Sequence, residues 1–145
     1  MPLVLSTVIS FFIGLAAASA ARAWLHTPVR VIGDWAILRH AENPGIAFGV
    51  RLPSPWQDVL ILSALALVAW IAVRSRTTLS RIAYGLILGG ALANVWDRFG
   101  DGVVTDYVAI GTFPVFNMPD SCISVGVALL LVENIIMVRR IQKTA

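Results

Sequence analysis

The chain has 145 residues, 58% of them hydrophobic and only 13% charged, with a formal net charge of +3 and a single cysteine, Cys122. A soluble domain carries about 25% charged residues, so half that share together with long apolar runs argues for an integral membrane protein. The basic residues sit in short clusters beside apolar segments, as topology signals do, which argues against a nucleic-acid partner; one cysteine excludes a disulfide framework and a Cys-rich metal site.

The length suits a single membrane domain, residues 1–145, with four spans of roughly 20 residues each. The first apolar run, about residues 3–25, ends in LAAASAARAW, which has the look of a signal-peptidase cleavage region. No Lys or Arg precedes it, so a retained first helix is favoured over a removable signal. Its small residues Gly14, Ala16, Ala17, Ala18, Ser19 and Ala20 would let a neighbouring helix approach closely. Residues 26–55 form the longest polar stretch, with a turn signal at Glu42-Asn43-Pro44-Gly45. Beyond it Ile46, Phe48, Val50 and Leu52 alternate with Ala47, Gly49 and Arg51, which is strand periodicity. A small extracytoplasmic β element resting on the membrane surface is expected here, with Trp24, Trp35 and Trp56 at the interface.

The remaining spans are expected over about residues 56–73, 82–99 and 119–138. Arg74, Arg76 and Arg81 crowd the short loop between the second and third, with no acid among them, and Arg139, Arg140 and Lys143 close the chain. Four arginines spread over residues 22–55 are offset by Asp34 and Glu42. The positive-inside rule therefore puts the RSRTTLSR loop and both termini in the cytoplasm, and the β region and the Gly100–Phe116 loop on the other side. The expected fold class is mainly α: an integral membrane bundle of four transmembrane helices with a small extracytoplasmic β element.

Four of the eight acidic residues, Asp97, Asp101, Asp106 and Asp120, fall between Gly89 and Asp120. Asp106 and Asp120 flank one loop at one membrane boundary. Taken singly, each reads as a solvated interfacial charge. As a pair they read differently, because carboxylates near hydrocarbon are costly and two held close cannot both ionise easily. One would hold a proton and donate it while the other activates a water, which is enough to hydrolyse an amide without a metal or a nucleophilic side chain. Asn94 and Arg98 share a helical face, with Asp97 beside them. They form either a helix-end charge cluster, in which Arg98 pairs with Asp97 or snorkels, or a polar shell that orients the pair. Asn43 reads first as a turn residue and Asn117 first as a helix N-cap, with Pro119 near the helix start. Ser121 and Cys122 have no nearby histidine, and His26 and His40 lack a metal-ligand spacing, so no metal and no cofactor is expected. Glu133 is expected to reach the cytoplasmic boundary near Arg140.

Asn43-Pro44-Gly45-Ile46-Ala47-Phe48-Gly49 is followed by Gly89-Gly90-Ala91-Leu92-Ala93-Asn94-Val95-Trp96-Asp97-Arg98, then Val104-Thr105-Asp106-Tyr107, then Phe116-Asn117-Met118-Pro119-Asp120 with Ile123 and Gly126. In that order these motifs resemble the lipoprotein signal peptidases, or type II signal peptidases. The resemblance implies that Asp106 and Asp120 are catalytic and that Asn43, Asn94, Arg98 and Asn117 line the site. It implies hydrolysis of prolipoprotein signal peptides just before a diacylglyceryl-modified cysteine. The β element would be a substrate cradle, the partners the lipid-modified prolipoprotein and membrane lipid, and the setting the bacterial cytoplasmic membrane, with the site on its extracytoplasmic side. A monomer is expected. There are departures: Ala93 where the family has Gly, Pro119 where it has Ala, Tyr107 for Phe, and Ala18-Ser19 before Arg22 and Trp24 where its first span carries an Asp-Gln pair and a Lys. A non-catalytic relative that binds lipoprotein precursors or lipid is the alternative. A proton-coupled transporter fits less well, because the polar residues cluster near one interface rather than at mid-depth.

Overall fold

The computed structural model describes residues 1–45, 52, 53 and 55–144, with the backbone alone at 141, 143 and 144. Four long helices carry the chain: α1 (Pro2–Trp24), α2 (Trp56–Arg74), α3 (Thr78–Asp101) and α4 (Met118–Thr144). Each contains a stretch long and apolar enough to cross a membrane. Three strands, β1 (Val29–Ile32), β2 (Ala36–Asn43) and β3 (Val104–Ile110), form one antiparallel sheet in the order β1-β2-β3. The mainly α architecture with a small β element is thus the observed one.

Helix boundaries follow local chemistry. Pro2 stands in the first turn of α1, where its missing N–H costs nothing. Thr77 caps α3 by accepting the Ser80 N–H at 3.0 Å, and Gly102 ends that helix in the left-handed conformation (φ +80°), which a Cβ would disfavour. Because Thr77 caps it, α3 starts earlier than the expected residue 82.

α3 is the central helix, packed between α1 and α4, while α2 leans chiefly on α3. It is the least apolar of the four and the most buried. The contacts are made by small residues: Gly85 and Gly89 of α3 lie against Ser6 and Ser10 of α1, and Gly90 lies against Pro119 of α4. Gly126 of α4 lies against Ala83 and Ile87. Ser10, 1% exposed, also donates to the Gly85 carbonyl at 3.3 Å. In hydrocarbon, where apolar burial gives no net drive, close backbone approach is what holds helices together. On α1 itself Gly14, Ala18 and Ala21 are buried, whereas Ala16 and Ser19 are exposed, so only part of the expected small-residue set faces a neighbour.

One expectation changes. The Gly100–Phe116 segment is not simply a loop: Val104–Ile110 is β3, paired along β2, with Val104 to Tyr107 buried. The expected alternation over Ile46 to Leu52 lies outside the described residues except at Leu52; the described strands are the VRVI and AILRHAEN segments and β3. Glu133, late in α4, accepts hydrogen bonds from Thr77 and Ser80 at the start of α3. The free N–H groups of a helix start make that end attractive to a carboxylate from the neighbouring helix.

Candidate active site

Asp106 is delivered by β3 and is 3% exposed. After Ile110 the chain turns and comes back along the same strand: Val108 and Phe116 form an isolated bridge, with Phe116 N donating to Val108 O at 3.0 Å. That return places Asn117 beside Asp106, and α4 begins immediately after it. The Asn117 side-chain carbonyl accepts the Asp120 N–H at 2.8 Å, while Asp120 Oδ2 accepts the Asn117 N–H at 3.3 Å. This reciprocal capping box fixes Asp120 in the first turn of α4. Pro119 sits in the same turn, where proline is tolerated, and packs on Gly14 and Gly90.

One asparagine ties the two carboxyls together. Asn117 Nδ2 donates to Asp106 Oδ1 at 2.9 Å and to Asn94 Oδ1 at 3.1 Å, and Asn94 Nδ2 donates to Asp120 Oδ1 at 2.8 Å. The other Asp106 oxygen accepts from Asn43 Nδ2 at 2.9 Å. Asn43 is aimed by its own turn, since its Oδ1 accepts the Gly45 N–H at 2.9 Å. The structure therefore brings Asn43, Asn94, Asp106, Asn117 and Asp120 into one network.

Arg98 stands one step out. Its Nη2 donates to the Gly45 carbonyl at 2.7 Å, and its Nε is buried without a hydrogen-bond partner among the described residues. It does not pair with Asp97. Successive residues of a helix point about 100° apart, and Asp97 turns the other way, to Arg22 at 2.6 Å and to the Thr105 N–H at 2.6 Å. The end of α1 is thus tied to α3 by a basic residue.

Burial, above all, pushes the Asp106 carboxyl up to about 6, and the nearby Asp120 charge adds to the effect; the amides of Asn43 and Asn117 oppose it. Burial also raises the Tyr107 phenol, whose oxygen accepts the Met118 N–H at 2.9 Å.

A cleft of about 490 Å³ opens between α2 and α3 beside Arg98, walled by Ile61, Leu62, Val95 and Phe99, with Asp58 at its polar end. Gln57, 8% exposed, closes its rim by donating to Pro44 O at 3.1 Å and accepting from Leu52 N at 3.3 Å. Gln57 was not singled out from sequence, and Thr105 and Tyr107 entered only as members of a motif, without a role. Gln57 sits in WQD at a span start, and the burial of Thr105 and Tyr107 beside Asp106 would have followed had residues 104–110 been read as a strand. Among the described residues no group of three or more His, Cys, Asp or Glu side chains is placed to hold a metal ion.

A family model described as signal peptidase (SPase) II matches residues 6–136. A lipoprotein signal peptidase of Symbiobacterium thermophilum is 34% identical over 129 residues, covering 83% of this chain and 84% of that protein. One from Desulfitobacterium hafniense is 38% identical over 120 residues, covering 80% of each. One from Rhodococcus jostii is 41% identical over 118 residues, which is 75% of this chain but only 59% of that relative's length. Two solved structures described as a bacterial membrane enzyme share the fold, each with a TM-score of 0.79: one at 22% identity over 92% of this chain and 87% of that one, the other at 21% identity over 90% of each. With four apolar spans, these motifs in order and a match over nearly its whole length, the chain is a multi-pass membrane protein that belongs to the signal peptidase II family.

Proposed function

We propose that the chain is an aspartic endopeptidase that removes signal peptides from diacylglyceryl-modified prolipoproteins, cutting just before the lipidated cysteine. The observation that carries this reading is the shared network: Asn117 and Asn94 connect the carboxyl of Asp106 to that of Asp120. The pair holds a proton between them. The ionised member takes a proton from water, which attacks the scissile carbonyl. The protonated member donates to the developing oxyanion and later supplies the proton that the departing amine needs. General acid–base help of this kind is worth on the order of 10²–10⁴ in rate; positioning supplies the rest. Asp106, raised to about 6, is able to hold a proton close to neutral pH. Arg98, which lines the α2–α3 cleft, binds a substrate carbonyl, and the apolar wall of the cleft takes acyl chains.

The protein acts as a single-domain monomer in the bacterial cytoplasmic membrane, with the site at the extracytoplasmic face. Its partners are the lipid-modified precursor and membrane lipid, and no cofactor takes part. Two of the departures, Pro119 and the first span without its acid, are what a non-catalytic relative would rest on, and both have local remedies: Pro119 fits a first helical turn, and Arg22 anchors α1 through Asp97. Asp106→Asn and Asp120→Asn should each stay folded in detergent and lose at least about 10²-fold in cleavage of a lipid-modified precursor. Undiminished cleavage by both variants would refute the aspartate pair, and binding without turnover by the unmutated protein would favour the non-catalytic reading.

A further inference from the structure

A second concentration of chemistry lies where the end of α1 meets β2. A cavity of about 450 Å³ opens there, lined by Arg22, Leu25, His26, Pro28, Arg39 and His40. Every ionisable residue in that lining is a nitrogen base. Asp97 pairs with Arg22 of the lining and with the Thr105 amide but does not itself line the cavity, and Asp34 pairs with Arg30 on β1. Arg22 can serve both Asp97 and the cavity, because a guanidinium carries five N–H donors and its 2.6 Å contact with Asp97 is made through Nη2.

The backbone is built to bring these groups together. The β2–β3 register runs from Leu38 opposite Val108 to Ala41 opposite Asp106, so Arg39 and His40 together face the single residue Tyr107. In a regular strand such neighbours would project to opposite faces. The bulge re-aims one of them, and both line the same cavity. The depth is also informative. Leu25 caps α1, and Trp24 beside it is 78% exposed, as suits an indole at the level of lipid headgroups.

We propose that this cavity is a phosphate site that seats the headgroup phosphate of a bilayer phospholipid at the end of α1. Guanidinium forks match phosphate oxygens in pairs, and an imidazole offers at least one N–H in either protonation state. The diacylglyceryl group of the proposed substrate carries no phosphate, so the site does not duplicate substrate binding.

The test compares three probes on the purified full chain in detergent: phosphatidylglycerol, diacylglycerol with the same acyl chains, and inorganic phosphate. Binding is followed by native mass spectrometry and thermal stabilisation. The unmutated protein should bind phosphatidylglycerol about tenfold more tightly than an Arg39→Gln/His40→Gln double variant. Diacylglycerol should not distinguish the two, and Arg30→Gln, which removes a basic residue outside the cavity, should behave as the unmutated protein. Inorganic phosphate competing at millimolar concentration would support the phosphate chemistry; if it binds without lipid and phosphatidylglycerol does not, the lipid assignment falls. Equal phosphatidylglycerol binding by the double variant, or an equal loss in Arg30→Gln, would overturn the site.

Discussion

Both oxygens of Asp106 accept from side-chain amides, Asn43 on one side and Asn117 on the other. An amide suits this position because it donates without adding a charge that would hold the carboxyl permanently ionised. The groups facing Asp106 are Asp120 from α4 and Asp97 and Arg98 from α3. Removing the Asn43 amide leaves burial and the Asp120 charge less opposed, so the Asp106 carboxyl should rise further above about 6. In Asn43→Ala the limb of the pH–rate profile that belongs to Asp106 should therefore move to higher pH, by roughly one unit. A drop in rate with an unmoved profile would show that Asn43 acts on something other than this carboxyl.

α3 meets two partners through adjacent glycines, Gly89 toward α1 and Gly90 toward α4. A Cβ at Gly89 would collide with Ser10 Oγ and the Thr7 carbonyl, and would lie 3.0 Å from Phe11 N. Backbone atoms cannot step aside as a flexible side chain can. Gly89→Leu should thus part α1 from α3 and lower stability by about 1–3 kcal/mol or more. Gly100→Ala, where nothing lies within 4 Å of the added carbon, should leave it nearly unchanged. Thermal unfolding of both variants in one detergent checks the difference. The same helix also sets the site: Asn94 and Arg98 leave one face toward Asp120 and Gly45, and Asp97 turns away from them to Arg22.

Most large apolar side chains on the helices are exposed, among them Phe12, Leu67, Trp70 and Leu131. The bilayer is their solvent, so the protein interior is small and its polar network is a large part of what is buried. That gives Asp106 weight in global stability. Its carboxyl is raised from 3.8 to about 6 on folding, so the folded state holds the proton more tightly than the unfolded one. Below about 4 both states are protonated and the group is neutral in effect; stability then falls as pH rises from about 4 to about 6, and levels off above. The loss is on the order of 1–3 kcal/mol. Asp106→Asn should remove this dependence, so that its unfolding temperature changes less between pH 4.5 and pH 7.5 than that of the unmutated protein.

Four spans, the charge asymmetry of their loops, and the acids and amides near one boundary were all legible in the linear chain. Each depends on quantities local in sequence: the run of apolar residues needed to cross hydrocarbon, the crowding of arginines, the chemistry of a side chain. Asn117 as a helix cap was legible for the same reason, since its partner is three residues away. What the folded chain alone decided is which distant groups meet. Asn43 reaches Asp106 across 63 positions, Glu133 finds Thr77 across 56, and Asp97 passes over its neighbour Arg98 for Arg22. β3 was hidden because its strand character depends on pairing with β2, and the bulge that gathers Arg39 and His40 exists only in that register. A contact between remote residues is set by how helices and strands pack, and no local pattern of residues encodes that.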